Sequence, residues 1–137
     1  MATNNLNRQV IEEFRTNAGK VGGNYQGRPL LLLTTTGRKT GHTHTTPVMY
    51  LADSDGYCVF ASKGGAPEHP AWYLNLVANP RVSVEVGTER FDAQATVVGQ
   101  AERDALYRKQ ASLYGQFAEY ERKTSRTIPV VRLTRTK

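Results

Sequence analysis

The chain has 137 residues, 39% of them hydrophobic, and a net charge of +6 from 18 Lys and Arg against 12 Asp and Glu. That length fits one domain and one core, with no room expected for a separate substrate domain, and apolar residues spread along the chain favour a folded chain over a disordered one. No run approaches roughly 18 apolar residues, so no transmembrane helix is expected, and the single cysteine excludes an internal disulfide framework.

Residues 1–20 mix Asn, Arg, Glu and Lys, so no signal peptide is expected there. A basic balance favours an anionic partner: nucleic acid, anionic lipid or a phosphorylated small molecule. Cys58 stands in the apolar run Tyr57-Cys58-Val59-Phe60 and reads as a buried, inert thiol. The compartment expected is the cytoplasm.

In chain order, Leu6, Val10, Ile11 and Phe14 recur at helical spacing, with Asn5 as a cap and Gly19 as a stop. Residues 21–27, rich in glycine, read as a loop. Arg28 to Thr36 reads as a buried strand, Gly37 to Gly41 as a hairpin turn, and Thr43 to Leu51 as the returning strand, where Pro47 implies an edge or a bulge. Asp53-Ser54-Asp55-Gly56 is a second turn and Tyr57 to Ser62 a third strand.

Pro70 to Ala78 reads as a short helix stopped by Asn79-Pro80. Arg81 to Val86 is a strand with Val82, Val84 and Val86 inward. Arg90 to Gln100 follows as a longer strand. Ala101 to Tyr114 reads as a helix with Leu106, Gln110 and Leu113 on one face, followed by an aromatic segment, Tyr114 to Tyr120. Thr127 to Leu133 is the last strand. Strands joined by tight turns favour an antiparallel barrel with helices outside, and disfavour a doubly wound parallel sheet.

Two turns carry the chemistry. Gly37-Arg38-Lys39-Thr40-Gly41 and Ser62-Lys63-Gly64-Gly65 each place cations between glycines. Glycines let backbone N–H groups converge on an anion, Arg supplies a planar fork and Lys a mobile charge. A solvated hairpin tip is the plainer reading of the first turn. The first turn does not fit a Walker A loop, since no Gly precedes Lys39 in the required register and no crossover helix follows. Ser62 and Lys63 are adjacent, so an extended strand points them to opposite faces, which disfavours a Ser–Lys nucleophile. Trp72 and Asn75 share a helix face that suits a planar heterocycle, although Trp72 alone reads more readily as core. His42, His44 and His69 form no metal motif, and no carboxylate pair suits acid–base work, so chemistry is expected from a cofactor.

LLLLTTTGRKTG (residues 30–41), TTPVMYL, ASKGGAPEHPAWYLNLVANP and the tail TIPVVRL resemble the deazaflavin-dependent nitroreductase family over residues 28–134. The resemblance implies an α+β, mainly β fold. This is a split β-barrel of about six mostly antiparallel strands with two to four peripheral helices, residues 1–27 forming an N-terminal helix and loop and residues 28–137 the barrel. It implies coenzyme F-420, an 8-hydroxy-5-deazaflavin with a phosphodiester-linked lactate and an oligoglutamate tail, with FMN as the alternative.

By motif match, Arg38, Lys39, Thr40 and His44 would meet the phosphate or tail, and Ala61, Ser62, Lys63 and Gly64 would line the groove. Trp72 and Asn75 would lie near the deazaflavin. Tyr114, Phe117 and Tyr120, with Ser62, would meet a quinone, enone or nitroaromatic acceptor. The implied activity is hydride transfer to that small-molecule acceptor, with no nucleic acid partner. His44 stands where relatives often carry Arg, and Phe117 lacks the hydroxyl of a tyrosine cluster. The N-terminal helix is a candidate for closing over the site or for peripheral contact with the inner face of the cell membrane, and monomer and homodimer both stay open.

Overall fold

The computed structural model describes residues 5–25, 27–53 and 56–136, the side chains of residues 5, 6 and 24 excepted. The expected Asn5 cap, the side chain of Leu6 and the Ser54–Asp55 turn lie outside the described residues.

Six strands, β1 (Leu30–Thr36), β2 (Thr43–Asp53), β3 (Gly56–Phe60), β4 (Arg81–Val86), β5 (Glu89–Val97) and β6 (Val130–Arg135), close a barrel in the order β1-β2-β3-β6-β5-β4. Every neighbouring pair is antiparallel. The α-helices are α1 (Asn5–Thr16), α2 (Ala71–Ala78), α3 (Gln100–Leu113) and α4 (Gln116–Lys123).

The four-leucine run of β1 is buried throughout because both faces of that strand are covered. Leu31 and Leu33 point into the barrel with Val59, Val82, Val84, Ala93, Ala95, Val131 and Leu133, while Leu30 and Leu32 point out against Val10 and Phe14 of α1. Successive strand residues face opposite sides, so an uninterrupted apolar run needs two partners. Outside β3 and β6, Cys58, Phe60, Ile128 and Val130 pack beneath Tyr107 of α3 and Phe117 of α4. Trp72 and Leu76 of α2 join the barrel interior and plug it. Val10 and Phe14 of α1 are buried against the barrel, while Arg8, Gln9, Glu12 and Glu13 face water. No described helix is long and apolar enough to cross a membrane.

Pro47 sits opposite Leu32, where β2 pairs with β1 alone; pairing to β3 starts only at Tyr50. The missing N–H therefore costs no ladder bond. Gly19 lies just past α1, its amide donating to the Phe14 carbonyl at 2.8 Å.

Three expectations need correction. The buried stripe of α3 is Arg103, Tyr107 and Gln110, whereas Leu113 is 57% exposed. Arg103 is accommodated because its guanidinium donates to the Ile128 carbonyl at 2.9 Å, pairs with Asp104 and Glu121, and lies over the Tyr107 ring. The aromatic segment after α3 is a helix of its own, α4. The last strand begins at Val130, because Pro129 has no N–H to enter the ladder.

Candidate functional site

β1 and β3 both run antiparallel to β2, so their C-terminal ends share one end of the barrel. Both cationic turns therefore emerge at that end, with α2 between them.

In the first turn the Gly37 amide donates to the His42 carbonyl at 2.7 Å and the Gly41 amide to the Gly37 carbonyl at 2.9 Å. Thr40 Oγ1 accepts from the His42 amide, so Thr40 shapes the turn. Arg38 and Lys39 are exposed, and among the described residues neither side chain has a carboxylate partner. His44 lies opposite Thr35, its Nε2 3.0 Å from where a Cβ on Gly37 would stand. The turn is fixed to α2 by a buried amide. Asn75 Oδ1 accepts from the Arg38 amide at 3.1 Å, and Asn75 Nδ2 donates to Thr35 Oγ1 at 3.2 Å. Asn75 thus spends its amide on holding the turn, and Trp72, 8% exposed, is a barrel plug.

The second turn carries three successive positive φ angles, Lys63 (48°), Gly64 (62°) and Gly65 (85°). A Cβ on Gly65 would stand 2.9 Å from the Tyr120 carbonyl oxygen and from Lys123 Cβ, so glycine lets α4 seat directly on the loop. At Gly64 an added Cβ would meet nothing within 4 Å, which leaves that face open. The amides of Gly65 and Ala66 are used inside the loop, whereas those of Lys63 and Gly64 donate to no described group. Consecutive N–H groups in this conformation form an anion-binding concavity. Lys63 Nζ meets Glu68 at 3.1 Å, with both side chains about half exposed; such a pair is worth about 0–1 kcal/mol and yields readily to a better anion.

A residue not singled out from sequence lies behind this loop. The Arg126 guanidinium donates to the carbonyls of Ala61 (3.1 Å), Ser62 (2.9 Å) and Ala66 (3.0 Å), and meets His69 Nδ1 at 3.0 Å. Desolvation, and then the Arg126 charge, hold the His69 pKa below its usual value. Ala61 is fully buried and meets the rest of the site through its carbonyl. No sequence signal marked Arg126, which follows α4 in an unremarkable loop.

The aromatic trio is divided. Phe117 is 4% exposed and packs against Phe60, Tyr107 and Tyr120, with its carbonyl accepting from the Tyr107 hydroxyl at 2.7 Å. It belongs to the core beneath α4. Tyr120 sits at the Gly65 end of α4. Tyr114 sits at the other end, half-buried, with the Arg28 guanidinium 5.2 Å from its ring centre and Arg28 donating to Gln116 at 2.8 Å. Arg28 also lines an open cleft of about 760 Å³ with Glu13, Asn17 and Val21. Among the described residues no group of three His, Cys, Asp or Glu could hold a metal ion.

The family model described as F420H(2)-dependent quinone reductase matches residues 6–135. The chain belongs to that family. A Mycobacterium tuberculosis (strain H37Rv) protein named as a quinone reductase of this type is 42% identical over 126 residues, covering 89% of this chain and 85% of the relative. A solved structure titled as an F420-H2 Dependent Reductase is 41% identical, covers 77% of this chain and 94% of its own, and superimposes with a TM-score of 0.70. Another, described as a domain-swapped dimer, is 36% identical, covers 93% and 96%, and has a TM-score of 0.72.

The geometry fits the family's cofactor, F-420. Its phosphodiester and carboxylate tail call for cations without tight carboxylate partners and for outward amides, and the two turns supply both. FMN finds no support in these likenesses.

Proposed function

We propose that the chain binds reduced F-420 across the two turns beside α2 and reduces a quinone held next to it. The Lys63–Gly64 amides carry this reading, two outward N–H donors beside an exposed lysine. Lys63 and these amides hold the phosphodiester. Arg38 and Lys39 hold the tail, with His44 beside them. Ser62, 8% exposed, and the Ala61–Ser62 backbone border the ring.

When bound, the reduced cofactor supplies a hydride from C5 to the acceptor. The chain contributes position and field. It fixes the acceptor against that carbon, and hydroxyl donors beside it favour the anion that the acceptor becomes. No side-chain base is required, since hydride transfer turns the quinone into the hydroquinone monoanion, which takes its one remaining proton from water. Tyr114 and Tyr120 offer hydroxyls at the two ends of α4 to an acceptor lying along it. Quinones are the acceptor class supported by the family; enones and nitroaromatics are competing electrophiles for the same site. The relative described as a domain-swapped dimer supports a homodimer.

Titration with F-420 and with FMN, followed by fluorescence quenching, tests the cofactor. Reoxidation of reduced F-420 by menadione and by a nitroimidazole tests the acceptor. Quenching by F-420 with menadione turnover is expected. Quenching by FMN alone would overturn the reading.

A further inference from the structure

The Arg126 side chain makes four contacts of 2.9–3.1 Å, all to one loop, residues 61–69. It has no carboxylate partner within 4.0 Å among the described residues. Its donors are matched to three carbonyls and one ring nitrogen, a set only a planar guanidinium can satisfy together.

These contacts fix which way the loop presents its backbone. A trans peptide sets its C=O and N–H on opposite sides. The Ser62 carbonyl is held by Nη2 of Arg126 at 2.9 Å, so the Lys63 N–H on the other side of that peptide is turned away from Arg126. The next amide, at Gly64, follows at positive φ and is also without an acceptor. Gly65 is pinned from the far side by Tyr120 and Lys123 of α4. The loop is therefore clamped between α4 and the guanidinium, with its donor face outward.

We infer that Arg126 is a positioning residue for the anionic part of the cofactor: it gathers the carbonyls of Ala61, Ser62 and Ala66 and so preorganises the Lys63–Gly64 amides. This rests on the F-420 reading above. The unpaired guanidinium also adds positive field behind the anion without touching it. His69 completes the clamp by accepting at Nδ1, which places its proton on Nε2, and its ring lies against Tyr73 with centroids 4.8 Å apart. A residue that acted on the deazaflavin ring would weaken any deazaflavin. One that shapes a phosphate loop weakens only the phosphorylated form.

The experiment compares wild type, Arg126→Gln and Arg126→Lys in titrations with F-420 and with 8-hydroxy-5-deazariboflavin, which lacks phosphate and tail. Long-range proton–nitrogen NMR of His69 is recorded on the cofactor-free proteins. Both variants are expected to lose about tenfold or more in F-420 affinity, with binding of the phosphate-free deazaflavin within twofold of wild type. Wild-type His69 is expected to carry its proton on Nε2, and to lose that preference in Arg126→Gln. Equal F-420 affinity in the variants overturns the inference alone. Equal loss of both ligands, or unfolding of both variants, assigns Arg126 to general stability and also overturns it. A wild type that binds neither deazaflavin overturns the cofactor reading, and this inference with it.

Discussion

The backbone amide of Arg38 donates to the side-chain Oδ1 of Asn75 at 3.1 Å, joining a β-hairpin turn to a helix 37 residues away in sequence. Asn75 is 5% exposed, and its Nδ2 is spent on Thr35. The position of the Arg38–Lys39 pair relative to α2 is therefore set by one buried amide. Asn75→Ala removes both bonds and strands the Arg38 amide, a cost of about 1–3 kcal/mol. Affinity for F-420 is expected to fall about tenfold in fluorescence titration while circular dichroism still reports a folded barrel.

Phe117 invites the opposite substitution. Its ring lies within 5.2–6.2 Å of Tyr120, Phe60 and Tyr107, centroid to centroid. A hydroxyl added there overpacks a filled site at about 1–3 kcal/mol. Phe117→Tyr is expected to lower the melting temperature by several degrees, leaving kcat for menadione within twofold. A gain in nitroimidazole turnover would show instead that position 117 reaches the acceptor.

Gln110 is fully buried, and neither polar atom of its side chain bonds a described protein group. Burying an amide without a partner costs about 1–3 kcal/mol by mutational measures. Gln110→Leu keeps the volume and removes that cost, so thermal unfolding is expected to shift upward by a few degrees. A downward shift would mean that the amide is satisfied in solution.

Cys58 is fully buried on β3, and burial pushes its thiol from 9.0 up to about 11. A raised folded-state pKa means that the fold favours the neutral thiol. That contribution is complete below pH 9 and is lost as pH rises toward 11. The native chain is expected to resist a thiol reagent at pH 8 and to react on denaturation. Cys58→Ala should flatten the alkaline fall in stability between those values.

What the sequence disclosed follows from what lies close together in it. The hairpins, the Arg38–Lys39 turn and the Ser62–Gly65 loop are local, and their glycines announce backbone that only a turn would need. β1 was visible as strand from its leucines alone, although the two layers covering it were not. Arg126 escaped because its partners lie 57 to 65 residues earlier and are mostly main-chain carbonyls, which have no residue signature. Arg103 escaped because its burial depends on Glu121 and the Ile128 carbonyl, 18 and 25 residues later, and so the buried face of α3 was misplaced onto Leu113. Helical spacing put Trp72 and Asn75 on one face. It could not say that this face plugs the barrel and ties down a turn.

The central claim is that two cationic turns hold the cofactor's anionic part. Lys39→Ala, Lys63→Ala and the double variant, titrated with F-420, test it most directly. The turns are anchored independently, one by Asn75 and the other by Arg126, so their effects should nearly add. Each single variant is expected to bind about tenfold more weakly, about 1.4 kcal/mol, and the double about a hundredfold, with the losses shrinking at high salt. Unchanged affinity in both single variants would contradict the account.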